Sequence, residues 1–128
     1  MIAISTVLVV DDDVNTREAY AEYLRLNAFA VVTAGSGSEA LELARTARPD
    51  AILMDASMPG MEGWTAIALL KADPRTHAIP VIVLTGHTQP ADYTRARDCG
   101  ADALLAKPCV PEELVRRLKD LVKPRPAD

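Results

Sequence analysis

The sequence predicts an α/β fold, a five-stranded parallel sheet with helices on both faces. Five apolar runs alternate with five stretches of helical period, giving a β-α order repeated along the chain. Three of the runs are unbroken and rich in Val, Ile, Leu or Met, as strands buried on both faces are. Right-handed crossovers between successive parallel strands then distribute the helices over both faces.

The first run is Val7-Leu8-Val9-Val10, followed by Asp11-Asp12-Asp13. Val14 to Asn27 reads as a helix with Ala19-Tyr20 and Tyr23-Leu24 on one side. The second run is Ala30-Val31-Val32. Ser36-Gly37-Ser38-Glu39 then has the form of a capping box, opening a helix through Ala40, Leu41, Ala44 and Ala47. Ala51-Ile52-Leu53-Met54 is the third run, and Trp64 to Ala72 carries Ile67, Ala68 and Leu70 on a third helix. Val81-Ile82-Val83-Leu84 is the fourth, with Pro90 as the first residue of a helix that ends near Gly100. Ala103-Leu104-Leu105-Ala106 is the fifth. Pro111 opens a final helix whose stripe is Leu114, Val115, Leu118, Leu121 and Val122. The domain is expected over residues 1–123, with 124–128 as a short tail.

At 128 residues the chain has room for one core. With a single Phe and a single Trp, that core is built from Leu, Ile, Val and Ala. A net charge of -4 excludes a broad phosphate-backbone footprint, so no direct nucleic-acid binding is expected. Cys99 and Cys109 have no paired spacing and read as reduced apolar side chains. Met1-Ile2-Ala3-Ile4 is interrupted by Ser5-Thr6, unlike a secretory signal, and no apolar stretch approaches the roughly 20 residues of a membrane span. The expected location is the cytoplasm, away from the membrane.

In an open parallel sheet, ligands bind beyond the carboxyl ends of the strands. The first run delivers Asp11, Asp12 and Asp13 there, and the third delivers Asp55. The fourth is followed by Thr85-Gly86-His87 and the fifth by Lys107-Pro108. Taken singly, each has a plainer use: acids that start a helix, a turn residue before Met-Pro-Gly, a strand-end threonine, a surface lysine. All fall at equivalent strand ends, and that is the signal. Gathered carboxylates repel unless a cation sits among them, and a small all-oxygen site suits Mg²⁺, with Mn²⁺ as a substitute. A carboxylate can also act as nucleophile toward phosphorus, with Lys107 and the Thr85 hydroxyl gripping the transferred oxygens.

Val7–Asp13, Leu53-Met54-Asp55-Ala56-Ser57-Met58-Pro59-Gly60-Met61-Glu62-Gly63, Val83-Leu84-Thr85-Gly86 and Ala106-Lys107-Pro108 together resemble the receiver domain of two-component response regulators. The resemblance runs from about Thr6 to Val122 and is closest in form to a stand-alone, chemotaxis-regulator-like receiver. It implies a (βα)5 flavodoxin-like fold with strand order 2-1-3-4-5. It implies a phosphoacceptor, not an enzyme: Asp55 takes a phosphoryl group from a partner phosphohistidine, on a sensor histidine kinase or a histidine phosphotransfer protein. Asp12 matches the direct metal ligand, Asp11 the acid beside it, and the Ser57 backbone carbonyl the third protein ligand. Thr85 matches the switch hydroxyl, with the Gly86 N–H beside it, and Lys107 matches the lysine that pairs with the phosphoryl group. Pro108 matches a proline commonly preceded by a cis bond. Ser57 and His87 match positions that flank the path of hydrolytic water and tune dephosphorylation.

Two positions depart from the family pattern. Leu104 stands where an aromatic readout residue is usual, and Cys109 stands where Phe or another apolar residue follows Lys-Pro. Three competing readings exist. A haloacid-dehalogenase-type phosphatase would make Asp11 the nucleophile. A calcium loop would use Asp11, Asp13, Asn15 and Glu22 but lacks the turn glycine, having Thr16. A degenerate receiver would serve only as a docking module. The expected output is a switch in protein–protein contacts by a monomer, its downstream target unspecified.

Overall fold

The computed structural model describes residues 4–86 and 88–122. His87 and the expected tail at 124–128 lie outside the described residues. The elements are β1 (Thr6–Val10), α1 (Val14–Leu26), β2 (Ala30–Ala34), α2 (Gly37–Ala47), β3 (Ala51–Asp55), α3 (Gly63–Ala72), β4 (Val81–Thr85), α4 (Pro90–Cys99), β5 (Ala103–Ala106) and α5 (Pro111–Leu121). The strands form one sheet in the order β2-β1-β3-β4-β5, every neighbouring pair parallel. This is the expected flavodoxin-like α/β architecture.

Strand alternation divides the core in two. Leu8, Val10, Ile52, Met54, Val81 and Val83 face Ala40, Ala44, Ala66, Ile67, Leu70 and Ala96 of α2, α3 and α4. Val7, Val9, Leu53, Ile82, Leu84 and Leu105 face Leu24, Leu114, Val115 and Leu118 of α1 and α5. β3 and β4 are buried along their whole length, and β1 from its second residue. Strands covered on both sides need apolar residues at every position, so the three central runs are unbroken.

The helix boundaries follow local chemistry. Asp13 caps α1, its carboxylate accepting the Thr16 N–H at 3.0 Å. Ser36 caps α2 through the Glu39 N–H at 3.2 Å, but the Glu39 carboxylate returns to the Gly35 N–H at 3.1 Å, one residue before the cap. Pro90 and Pro111 occupy first helical turns, and Gly100 ends α4 at φ +91°.

The inward faces of three helices differ from expectation. Ala19, Ala47 and Ala68 are exposed, whereas Ala21 and Ala66 are buried. Alanine satisfies either environment, so apolar periodicity alone misplaces it by a residue or two. β3 and β4 also run one residue further than their apolar runs, through Asp55 and Thr85. Ladder hydrogen bonds, and not hydrophobicity, decide where a strand stops.

Candidate metal centre

The sheet's carboxyl edge gathers the side chains the sequence singled out. Asp11 follows β1, and its N–H donates to the Ala34 carbonyl at 3.1 Å, one step past the strand. Its Oδ1 accepts the Asp13 N–H at 2.9 Å and its Oδ2 accepts Lys107 Nζ at 3.0 Å. Asp55 ends β3, with Oδ1 also 3.0 Å from Lys107 Nζ. Lys107 follows β5, its N–H donating to the Thr85 carbonyl at 2.8 Å. The Lys107–Pro108 bond is cis, as the resemblance implied. One ammonium thus links the end of the fifth strand to acids on the first and third.

Asp11 and Asp55 are buried, at 2 % and 6 % exposure, while Asp12 is exposed beside them. One carboxylate oxygen from each of Asp11, Asp12 and Asp55 lies within 4.8 Å of the others. Burial pushes the Asp55 carboxyl above the ordinary carboxylate range; the Asp11 charge adds to this, and Lys107 and the Ser57 N–H oppose it. For Lys107 burial acts downward, but Asp11 and Asp55 overrule it and the pKa rises, so the ammonium stays charged. Three carboxylates therefore face one ammonium. The remaining negative charge and the all-oxygen donor set fit a hard divalent cation such as Mg²⁺.

Of the other expected site residues, Thr85, Gly86 and Ser57 lie at or just beyond strand ends, and Leu104 lies inside β5. Thr85 is buried at the end of β4, in register with Ala106. Gly86 is exposed, with open space where a Cβ would stand. Ser57 is exposed two residues beyond Asp55. Leu104 is half-buried and packs on the core face shared with Ala96 and Cys99 of α4.

Gly63, Tyr20 and Arg17 adjoin the site without an assigned role in the sequence. Gly63, at the start of α3, has its N–H on the Ala56 carbonyl at 2.9 Å. A Cβ there would lie 2.0 Å from the Asp55 carbonyl oxygen, so only glycine lets α3 begin against the end of β3. Its position in Met-Pro-Gly-Met-Glu-Gly was the available signal. Tyr20 of α1 and Cys109 pack on the same core cluster, and the Tyr20 hydroxyl adjoins the Cys109 backbone. Arg17 donates through Nη1 to the Asp11 carbonyl at 3.1 Å. Neither Tyr20 nor Arg17 adjoins a strand end in sequence, so no strand-end reading finds them.

The sequence profile of the response regulator receiver domain matches residues 7–119. The chain is 41 % identical over 119 residues to the transcriptional regulatory protein PrrA of Mycobacterium tuberculosis, covering 93 % of this chain and 50 % of PrrA. It thus spans about half the length of the curated relatives it matches. Among solved structures, the chemotaxis protein CheY4 of Vibrio cholerae superimposes with a TM-score of 0.89 at 33 % identity, covering 93 % of this chain and 99 % of that one. The receiver domain of the sensor histidine kinase PA1611 from Pseudomonas aeruginosa gives 0.86 at 29 % identity, over 94 % and 98 %. That receiver holds a magnesium ion coordinated in its active-site cleft. Among the described residues no helix is long and apolar enough to cross a membrane.

Proposed function

This chain belongs to the response regulator receiver domain family, phosphoacceptor modules of two-component signalling, and from that premise we propose that Asp55 is its phosphoacceptor. The observation that carries this reading is the buried Asp55 carboxylate, set between the Asp11 and Asp12 carboxylates and the Lys107 ammonium. Receiver domains accept phosphate from histidine kinases; the donor here is a sensor histidine kinase or a histidine phosphotransfer protein.

An Asp55 oxygen attacks phosphorus in line, forming a P–O bond as the P–N bond to the donor imidazole breaks. The imidazole nitrogen keeps that bond's electron pair. Asp11, Asp12, Asp55 and the Ser57 backbone carbonyl would hold Mg²⁺, or Mn²⁺ in its place, and the bound ion would supply positive charge to the oxygens of the transferring group. Lys107, already 3.0 Å from Asp55, moves with its charge onto the phosphoryl oxygens. The Thr85 hydroxyl and the Gly86 N–H close onto the new charge and draw in the segment that leads to α4. Phosphorylation favours one of two existing populations. Leu104 transmits the change by aliphatic packing against α4, without a rotating ring. Ser57 and His87 set the lifetime of the acyl phosphate.

The dehalogenase-type reading would place the nucleophile at Asp11. Asp11 and Asp55 are engaged alike, each by Lys107 and by a backbone N–H, and membership of the receiver family is what favours Asp55. The domain acts through protein contacts as a monomer, at residues 1–123, in the cytoplasm. The transcriptional activity named for PrrA belongs to a protein about twice this length and is not carried over.

The test is labelling with a small-molecule phosphodonor and Mg²⁺, followed by mass spectrometry to locate the modified residue. Label on Asp55, abolished in Asp55→Asn, is expected. Label on Asp11 supports the phosphatase reading, and Mg²⁺ binding without label supports the docking-only reading. His87→Ala is expected to change the dephosphorylation half-life; an unchanged half-life removes His87 from that role.

A further inference from the structure

We infer that Arg17, on α1 and outside the acidic cluster, is a positioning residue that aims the Asp12 carboxylate at the metal. The inference rests on the metal site proposed above.

Asp11 is fixed on almost every polar atom. Its N–H goes to Ala34, its Oδ1 takes the Asp13 N–H, and its Oδ2 takes Lys107. Its backbone carbonyl takes Arg17 Nη1 at 3.1 Å. That carbonyl and the Asp12 N–H belong to one planar peptide unit, so holding the oxygen sets the direction in which Asp12 leaves the strand. Asp12 itself is exposed, and packing does not orient it. The Arg17 bond supplies part of that orientation from behind.

The guanidinium is costly to keep there. Its side chain is 18 % exposed, and Arg17 Nε is a buried nitrogen with no hydrogen-bond partner among the described residues. The nearest carboxylate, that of Glu18, stands 3.9 Å away. A buried cationic N–H with no hydrogen bond and only this long ion pair opposes stability, so the group is poorly explained as a fold-stabilising contact. Gly35, at the end of the neighbouring strand, makes room for it: a Cβ at that position would lie 2.8 Å from Nη1. Gly35 has no left-handed backbone that demands glycine, so the space is used by the guanidinium.

Residues that orient metal ligands from outside typically contribute ten- to a hundredfold to affinity, and one hydrogen bond among several sits at the low end. Mg²⁺ affinity is measured by isothermal titration calorimetry on wild type, Arg17→Met, Gly35→Ala and the double variant. Arg17→Met is expected to weaken Mg²⁺ binding about tenfold while the metal-free protein still melts cooperatively. Gly35→Ala pushes the flexible guanidinium away without removing its charge, and is expected to weaken binding in the wild-type background only. Arg17→Met binding Mg²⁺ within about twofold of wild type overturns the inference. So does Gly35→Ala weakening Mg²⁺ binding equally with and without Arg17, because its effect then does not pass through the guanidinium. A wild-type chain that binds no Mg²⁺ overturns the site reading itself, and the inference with it.

Discussion

Acids stand at both ends of the sheet, and the two ends employ them in opposite ways. Before β3, Asp50 accepts the Thr6 N–H at 2.8 Å while its own N–H returns to the Thr6 carbonyl at 2.7 Å. Before β5, Asp102 repeats the arrangement with Val81, at 2.8 Å in each direction, and also takes Lys71 Nζ at 3.1 Å. Each of these carboxylates closes the first rung between two strands, using N–H groups that the ladder leaves over. At the carboxyl end, Asp11 and Asp55 instead face Asp12 and share one lysine. An acid satisfied by backbone donors clamps the fold, whereas acids set against one another hold free energy that a cation or a phosphoryl group can release.

The largest stability effect should come from the clamping end. Asp102→Ala strands the Val81 N–H and removes the carboxylate paired with Lys71, whose ammonium keeps the His77 and Ile79 carbonyls, and should cost about 2 kcal/mol, seen as a melting point lower by roughly 6 °C. Labelling at saturating Mg²⁺ should be unchanged. A loss of labelling with full stability would reverse the contrast between the ends. Asp55→Asn should do the opposite: without metal it should stabilise the domain by about 1 kcal/mol, measured by urea unfolding, and abolish the melting-point rise that Mg²⁺ produces in wild type.

A third, smaller effect is pH dependence. The Asp55 pKa is raised in the fold, chiefly by burial. Its contribution to stability is therefore fully present below the unfolded carboxylate pKa and lost as pH rises through the higher folded value. In metal-free protein, the advantage of Asp55→Asn over wild type should grow across that window and vanish below it. Saturating Mg²⁺ should abolish the growth; a flat difference would mean that Asp55 is not under electrostatic stress. The smallest effect belongs to Asp73, whose carboxyl is held below its ordinary value by Arg75 at 2.9 Å in an exposed turn. That stabilisation is present above the unfolded pKa and is lost as pH falls through the depressed one. Asp73→Asn should change only the acid limb of the melting profile.

Much of the reactive end was legible because its residues adjoin apolar runs. Asp11, Asp12, Asp55, Thr85 and Lys107 each follow one, and a parallel sheet sends every such position to the same edge. Arg17 and Tyr20 were not legible, since each approaches the site from inside a helix, Arg17 at the Asp11 carbonyl and Tyr20 near Lys107 and Cys109. Gly63 stood in the quoted motif, but the reason for it is a distance to the Asp55 carbonyl that only the docked α3 defines. Alanine faces were the weakest reading, because a methyl group carries too little transfer energy to choose a side.

By itself the sequence determined the alternation of strands and helices, the polarity of the sheet edge and the identity of the groups delivered there. These depend on hydrophobic period and on residues next to one another in the chain. The tertiary structure decided the partner of each acid. Asp50 and Asp102 border apolar runs as Asp11 and Asp55 do, and in the chain all four are simply acids beside strands. Folding set each of one pair on an N–H group of the neighbouring strand and brought the other pair together around a single ammonium, with Asp12 beside them. A carboxylate's chemistry follows from what stands within a few ångströms of it, and across a sheet those neighbours come from distant parts of the chain.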